Sequence, residues 1–185
     1  ERVVKRLNRL PLRWLPIDPA VIASRVSEIC GVPVTPVNPH YGALAPLVST
    51  FGLRIVRPRS NDHNPPHRDA WIRRLRSAVN IYVPLAGSNE HSSLCLVPGS
   101  HRWSEGEIER TRAGAIVNGQ RYTVPAVIGS KRPLRFLRPN PGENELLVFS
   151  PYLVHGGASN LNTDRTRVSL EMRFWRRLGT RRGDL

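Results

Sequence analysis

Residues 167–174 constrain the fold more than any other stretch: Arg167, Ser169, Glu171 and Arg173 alternate without a break with Val168, Leu170, Met172 and Phe174. A period of two is that of a β-strand, with polar side chains on one face and apolar ones on the other. Such a strand belongs in a sheet, its apolar face against a packed layer and its polar face toward solvent or a wet cavity. It needs partners, and short runs bounded by turn residues supply them. They are residues 47–57 (Phe51, Leu53 and Ile55 in rough alternation), Ala78-Val79-Asn80-Ile81-Tyr82-Val83-Pro84-Leu85, Leu94-Cys95-Leu96-Val97, Leu134-Arg135-Phe136-Leu137 and Glu145-Leu146-Leu147-Val148-Phe149. One helix is legible: Asp18 caps it, Pro19 takes its first position, Val21, Ile22, Val26 and Ile29 recur at helical spacing, and Gly31 is placed to end it. Many short strands and one outer helix predict a mainly β sandwich or barrel of the jelly-roll kind.

At 185 residues the chain is expected to form a single domain over 1–185, with residues 1–17 as a lead-in arm and residues 102–133, polar and glycine-punctuated, as a lid or substrate loop. Cys30 and Cys95 are too few for a disulfide framework and lack metal-ligand spacing, so a reducing, cytoplasmic setting is expected. No signal peptide and no apolar run long enough to span a membrane is visible, which predicts a soluble protein. The chain opens on Glu1 rather than Met, so it reads as the continuation of a longer one.

Net charge is +14, and 26 of the 28 basic residues are arginine. A charge of that size suits nucleic acid, a membrane surface or acidic small substrates. The arginines are scattered, however, and their near-total replacement of lysine has the look of a compositional habit, so nucleic acid is not the favoured partner.

The chemistry is carried by Pro66-His67-Arg68-Asp69-Ala70-Trp71. Kept extended by the prolines before it, this stretch puts His67 and Asp69 on one face and Arg68 on the other. An imidazole and a carboxylate so placed are half of a two-histidine, one-carboxylate triad, which holds Fe(II) and leaves positions open for substrate and oxygen. By itself the pair is equally compatible with a surface ion pair. His-Arg-Asp also opens the catalytic loop of protein kinases, but Arg74 stands where that motif needs asparagine, and no glycine-rich nucleotide loop is present.

The second imidazole is expected from His155, which follows the buried strand at 146–149 and a turn, and is itself followed by Gly156 and Gly157, small enough for a bulky object to approach the backbone. The competing reading is a core histidine satisfied by a backbone carbonyl. Farther on, Arg167 and Ser169 share one face of the alternating strand. A two-pronged guanidinium with a hydroxyl beside it describes a seat for the distal carboxylate of 2-oxoglutarate.

Taken together, His67-x-Asp69, Asn80 through Leu85, the turn Val97-Pro98-Gly99-Ser100-His101, and Phe149 through Asn160 to Arg167-Val168-Ser169-Leu170 resemble, in order and spacing, the phytanoyl-CoA dioxygenase family of Fe(II)/2-oxoglutarate oxygenases. The resemblance implies a double-stranded β-helix, cupin-like, with a few flanking helices. It implies iron on His67, Asp69 and His155, 2-oxoglutarate on Arg167 and Ser169 with Asn80 as a polar contact, and O2 as the second cosubstrate. His101 is expected to serve the turn rather than the metal. Relatives that halogenate replace the carboxylate with a small residue, so Asp69 implies hydroxylation of a C–H bond, with release of succinate and CO2.

The substrate implied is a small metabolite. Arg54, Arg57, Arg59, Arg73, Arg74 and Arg76 flank the metal pair, and they read either as a cavity mouth that favours an anion or as solvated outward charges. Two other classes stay open at the level of sequence: an oxygenase acting on nucleic acid, and a non-catalytic, cupin-like metal binder.

Overall fold

The computed structural model describes residues 18–42, 51–60, 64–117, 119–142, 144–157 and 159–177. The lead-in arm expected over 1–17 and the start of the strand expected over 47–57 lie outside these residues.

The alternating stretch becomes β9 (Arg167–Arg176), the central strand of a five-stranded antiparallel sheet. On one side it pairs with β3 (Ala78–Ala86), which in turn pairs with β8 (Leu147–Phe149). On the other side it pairs with β2 (Phe51–Val56) and, at its far end, with the short β1 (Val34–Thr35). Proline ends the regular part of β3 as expected: the register slips between Pro84 and Ala86.

The apolar face of this sheet is closed by α1 (Pro19–Cys30). The Asp18 side chain accepts a hydrogen bond from the Ala20 N–H, and Gly31, at φ 64°, terminates the helix in the left-handed conformation. Ala23 and Val26 pack on Ile81, Met172 and Phe174, with Ile22 and Cys30 alongside. Val21 and Ile29, expected on that stripe, are exposed at 67% and 56%. The stripe is centred between Ala23 and Val26, and 100° of rotation per residue carries both side chains past its edges.

The opposite layer is built mostly from single backbone pairings rather than long strands. His67 and His155 exchange both N–H···O bonds (2.9 and 3.0 Å), as Leu96 and Leu137 do (2.9 and 2.8 Å), and Leu96 also bridges to His155. The Pro66 carbonyl accepts from Val127 at the start of β7 (Val127–Ser130), which pairs with β4 (Ile108–Arg110). Residues 94–97 and 134–137, expected as strands, therefore contribute only isolated bridges, two through Leu96 and one through Leu137. Pro98 and Pro133, without N–H groups, stand next to both runs and cut the ladder short.

A five-stranded antiparallel sheet covered by a second layer of isolated antiparallel bridges and the β4–β7 ladder matches the jelly-roll architecture expected of the sequence. Within residues 102–133, Trp103, Ile108 and Val127 pack against Val97 and Val154 on the outside of the second layer. A small hairpin of β5 (Ala115–Val117) and β6 (Gln120–Tyr122) projects from the same region. Cys30 and Cys95 are free thiols, and among the described residues no helix is long and apolar enough to cross a membrane.

Candidate metal centre

The two layers meet over the polar face of β9. Cross-strand partners share a face, so Arg167, Ser169, Glu171 and Arg173 look inward together with Arg54 of β2, Asn80 and Tyr82 of β3, and Leu147 and Phe149 of β8. The sequence left open whether this face met solvent or a cavity. It is interior: Arg167 is 3% exposed and Ser169 is fully buried.

Above it, the His67–His155 bridge places two imidazoles side by side, ring centres 4.4 Å apart. Because the bridge is made by backbone groups, it fixes both side chains on one face whatever their chemistry. Backbone geometry is extended through Arg68 (φ −112°, ψ 130°), and Asp69 then opens a 3-10 turn, Asp69–Trp71. The extended stretch is shorter than the sequence suggested, yet long enough to carry Asp69 to the His67 side. Asp69 Oδ1 lies 3.3 Å from His67 Nε2 and 4.0 Å from His155 Nε2. Donor atoms of the three residues lie within 4.8 Å of one another, and all three residues are buried.

The imidazoles are oriented from behind. His67 Nδ1 lies 2.7 Å from the Pro65 carbonyl oxygen and His155 Nδ1 lies 2.9 Å from that of Leu153. A carbonyl oxygen only accepts, so each Nδ1 carries the hydrogen and a neutral ring keeps its lone pair on Nε2, toward Asp69. Burial, aided by neighbouring His67, pushes the His155 imidazole down from 6.5 to about 4 against the pull of Asp69, so His155 is neutral at physiological pH. Burial acts to raise the Asp69 carboxyl, but Arg173 and the two histidines outweigh it and hold the group well below its usual range. Two imidazoles with Nε2 turned inward and one carboxylate on one face are the donor set for a divalent transition metal.

Linkage follows from His155. Its folded value is depressed, so the unfolded chain binds the proton more readily and the stabilisation it brings is complete above pH 6.5 and lost as pH falls toward 4. Metal-free protein is expected to lose on the order of 2 kcal/mol of unfolding free energy between pH 7 and pH 5. Urea titrations at the two pH values check this, and His155→Gln should flatten the dependence.

Gly156 and Gly157 do admit a bulky object, and it is the His67 segment itself. Gly156 has φ +98°, and a Cβ there would sit 2.7 Å from the Pro65 oxygen and 3.0 Å from His67 Nδ1. A Cβ on Gly157 would meet the Pro66 ring at 2.9 Å. The glycines let residues 65–67 press against 155–157 closely enough for the histidines to pair.

The three residues expected to seat a cosubstrate are close-buried on the inner face and under-satisfied. Both amide atoms of Asn80, Ser169 Oγ and Arg167 Nε have no hydrogen-bond partner. Buried polar atoms are rarely left unpaired, and three of these, Asn80 Nδ2, Ser169 Oγ and Arg167 Nε, are donors on one sheet face that suit a polar ligand with acceptor oxygens. Arg167 is aimed by the Ser92 carbonyl, which accepts from Nη1 at 2.9 Å, and by the Tyr82 ring, 5.9 Å from Cζ.

Several contributors were missed in the sequence. Arg173 grips Asp69, Arg54 pairs with Glu171 (3.0 Å), and buried Arg68 ties the metal segment to residues 100–105. Arg173 and Glu171 could have been found, since they continue the polar face that begins with Arg167 and Ser169. Of the arginines weighed as a cavity mouth, Arg54 is spent on Glu171 and Arg76 donates to the Ala70 carbonyl, while Arg73 and Arg74 are exposed. His101 is exposed and lies outside the triad.

The sequence profile of the phytanoyl-CoA dioxygenase (PhyH) family matches residues 16–169, most of the chain. The chain belongs to this family. Among solved structures, this family member is similar to AviO1 from Streptomyces viridochromogenes Tue57, with 17% identity and a TM-score of 0.59 over 94% of this chain and 66% of AviO1. It is also similar to EvdO2 from Micromonospora carbonacea var. aurantiaca, a structure complexed with 2-oxoglutarate, with 17% identity and a TM-score of 0.52 over 71% of this chain and 53% of EvdO2. The chain thus spans less than two thirds of either protein, and at these identities the likeness is one of fold. No curated protein matches it by sequence.

Proposed function

We propose that this PhyH-family chain is an Fe(II)- and 2-oxoglutarate-dependent oxygenase in which His67, Asp69 and His155 hold the metal. The observation that carries the reading is the convergence of those three donors within 4.8 Å, tied through Arg173 to the sheet face that bears the unpartnered polar atoms of Asn80, Arg167 and Ser169. Arg167 grips the distal carboxylate of 2-oxoglutarate, Ser169 donates its hydroxyl to the same group, and Asn80 offers the cosubstrate its amide N–H. When bound, iron supplies the oxidative chemistry, coupling decarboxylation of 2-oxoglutarate to oxidation of a C–H bond. The chain's own part is placement and exclusion of water: His155 and Asp69 are buried, and Phe149 covers the His155 ring edge-on at 5.0 Å.

With a carboxylate in the triad, hydroxylation of a small metabolite is the outcome we assign.

The test is turnover. Supplied with Fe(II), ascorbate, O2 and 2-oxoglutarate, the protein is expected to release succinate, more so with a true substrate present. Arg167→Met should raise the 2-oxoglutarate KM by about 100-fold, because a charged two-pronged contact is lost from a buried site. Absence of succinate across a broad metabolite screen, or an unchanged KM in the variant, contradicts the reading.

A further inference from the structure

Asp69 has two oxygens, and the structure treats them differently. Oδ1 faces the imidazoles, 3.3 Å from His67 Nε2 and 4.0 Å from His155 Nε2. Oδ2 receives both prongs of Arg173, Nε and Nη2, each at 2.9 Å. Nε donates to Oδ2 and Nη2 lies at ion-pair distance on the same side, so the guanidinium covers that oxygen and turns Oδ1, rather than Oδ2, toward the imidazoles. We propose that Arg173 is a positioning residue that restricts Asp69 to a single donor oxygen for the metal. The proposal rests on the metal-site reading above and adds a claim about coordination number: with Oδ2 held, the triad contributes one donor per residue, and among the described residues no other imidazole, thiol or carboxylate joins the group, which leaves positions for cosubstrate and O2.

Arg173 is itself held for this. It stands opposite Asn80 on the inner face of the sheet, on the strand rather than in a loop, so its reach to Asp69 is set by the packing of the two layers. The neighbouring carboxylate, Glu171, is engaged by Arg54 from the adjoining strand. The Arg173 side chain keeps 25% exposure beside an Asp69 side chain that is 2% exposed, so it meets Asp69 from the open side of the cavity and is not a filler of the core.

Co(II) is the probe, and no turnover is needed. Wild-type protein, Arg173→Met and Arg173→Lys are titrated with Co(II) by calorimetry and by the visible ligand-field bands, with thermal melts recorded for each. Arg173→Met is expected to weaken Co(II) binding by about 10–100-fold, and to change the band intensities as the freed oxygen alters the donor count. Arg173→Lys, which keeps the charge but offers one prong, should fall between. In an Asp69→Ala background the same Arg173 substitution should change Co(II) affinity by less than about twofold, because its effect passes through Asp69.

Wild-type affinity and bands in a folded Arg173→Met overturn the proposal, as does an equal loss in the Asp69→Ala background. If the methionine variant does not fold, the lysine variant decides on the same two criteria. Failure of wild type to bind Co(II) overturns the metal-site reading and this inference with it, whereas binding that is indifferent to Arg173 overturns this inference alone.

Discussion

His155→Ala is expected to abolish metal loading while leaving the protein folded. The pairing that holds residue 155 against residue 67 is made by backbone groups, N–H to carbonyl in both directions at 2.9 and 3.0 Å, and alanine makes the same bonds. What disappears is one of three donors and the edge-on contact with Phe149. Removing a neighbour of a ligand commonly costs 10–100-fold in metal affinity, so removing the ligand itself should cost well over about 100-fold. Fe(II) or Co(II) affinity by equilibrium dialysis, beside a circular dichroism melt, separates the two effects. A variant that still melts cooperatively and no longer retains metal is the expected result, and retained affinity refutes the ligand assignment.

Arg68→Met is expected to act the other way, on the fold. Arg68 is 1% exposed; Nη1 donates to Glu105 at 2.8 Å, and Nη2 donates to the carbonyls of Trp103 (2.9 Å) and Ser100. Methionine keeps the aliphatic stem but leaves the Trp103 carbonyl without its donor, takes one of two donors from the Ser100 carbonyl, which keeps the Trp103 N–H, and leaves a gap where the guanidinium was. Removing one member of a buried charged network costs about 3–5 kcal/mol, and the exposed Glu105 carboxylate, free to return to water, places Arg68→Met near the lower end. The same change loosens the turn at Ser100, whose Oγ accepts from the Val154 N–H at 2.8 Å, one residue before His155. Urea denaturation should show a midpoint loss corresponding to about 3 kcal/mol. A change under about 0.5 kcal/mol would mean that the Trp103 carbonyl finds another partner at no cost.

The difference between these variants shows where the sequence was readable. Alternation over 167–174 specified a central strand with one polar face, because the period of two is local and does not depend on what packs around it. Asp18, Pro19 and Gly31 bounded the helix for the same reason, since caps are local chemistry. The bridge between His67 and His155 joins segments far apart in sequence, and nothing at either histidine announces its partner. His155 could be named from a glycine-flanked histidine after a strand; the backbone bond that pairs it with His67 could not. Arg68 is the sharpest case. Alternation correctly turned it away from the triad, but a buried arginine bound to two carbonyls is written in no neighbouring residue, and composition argues for a solvated one. The second layer was over-read at 94–97 and 134–137, where apolar runs suggested strands and adjacent prolines limited the pairing to isolated bridges at Leu96 and Leu137.

The central claim is that one cavity holds a metal on His67, Asp69 and His155 and seats 2-oxoglutarate across Asn80, Arg167 and Ser169. The most direct measurement is an anaerobic titration of the protein with Fe(II) and then 2-oxoglutarate, followed in the visible range. The predicted result is the weak charge-transfer band of a chelated 2-oxoglutarate, saturating at one equivalent of iron, absent in His155→Ala and shifted to far higher 2-oxoglutarate concentration in Arg167→Met. Wild-type protein without the band, or a band of equal strength in His155→Ala, would contradict the claim.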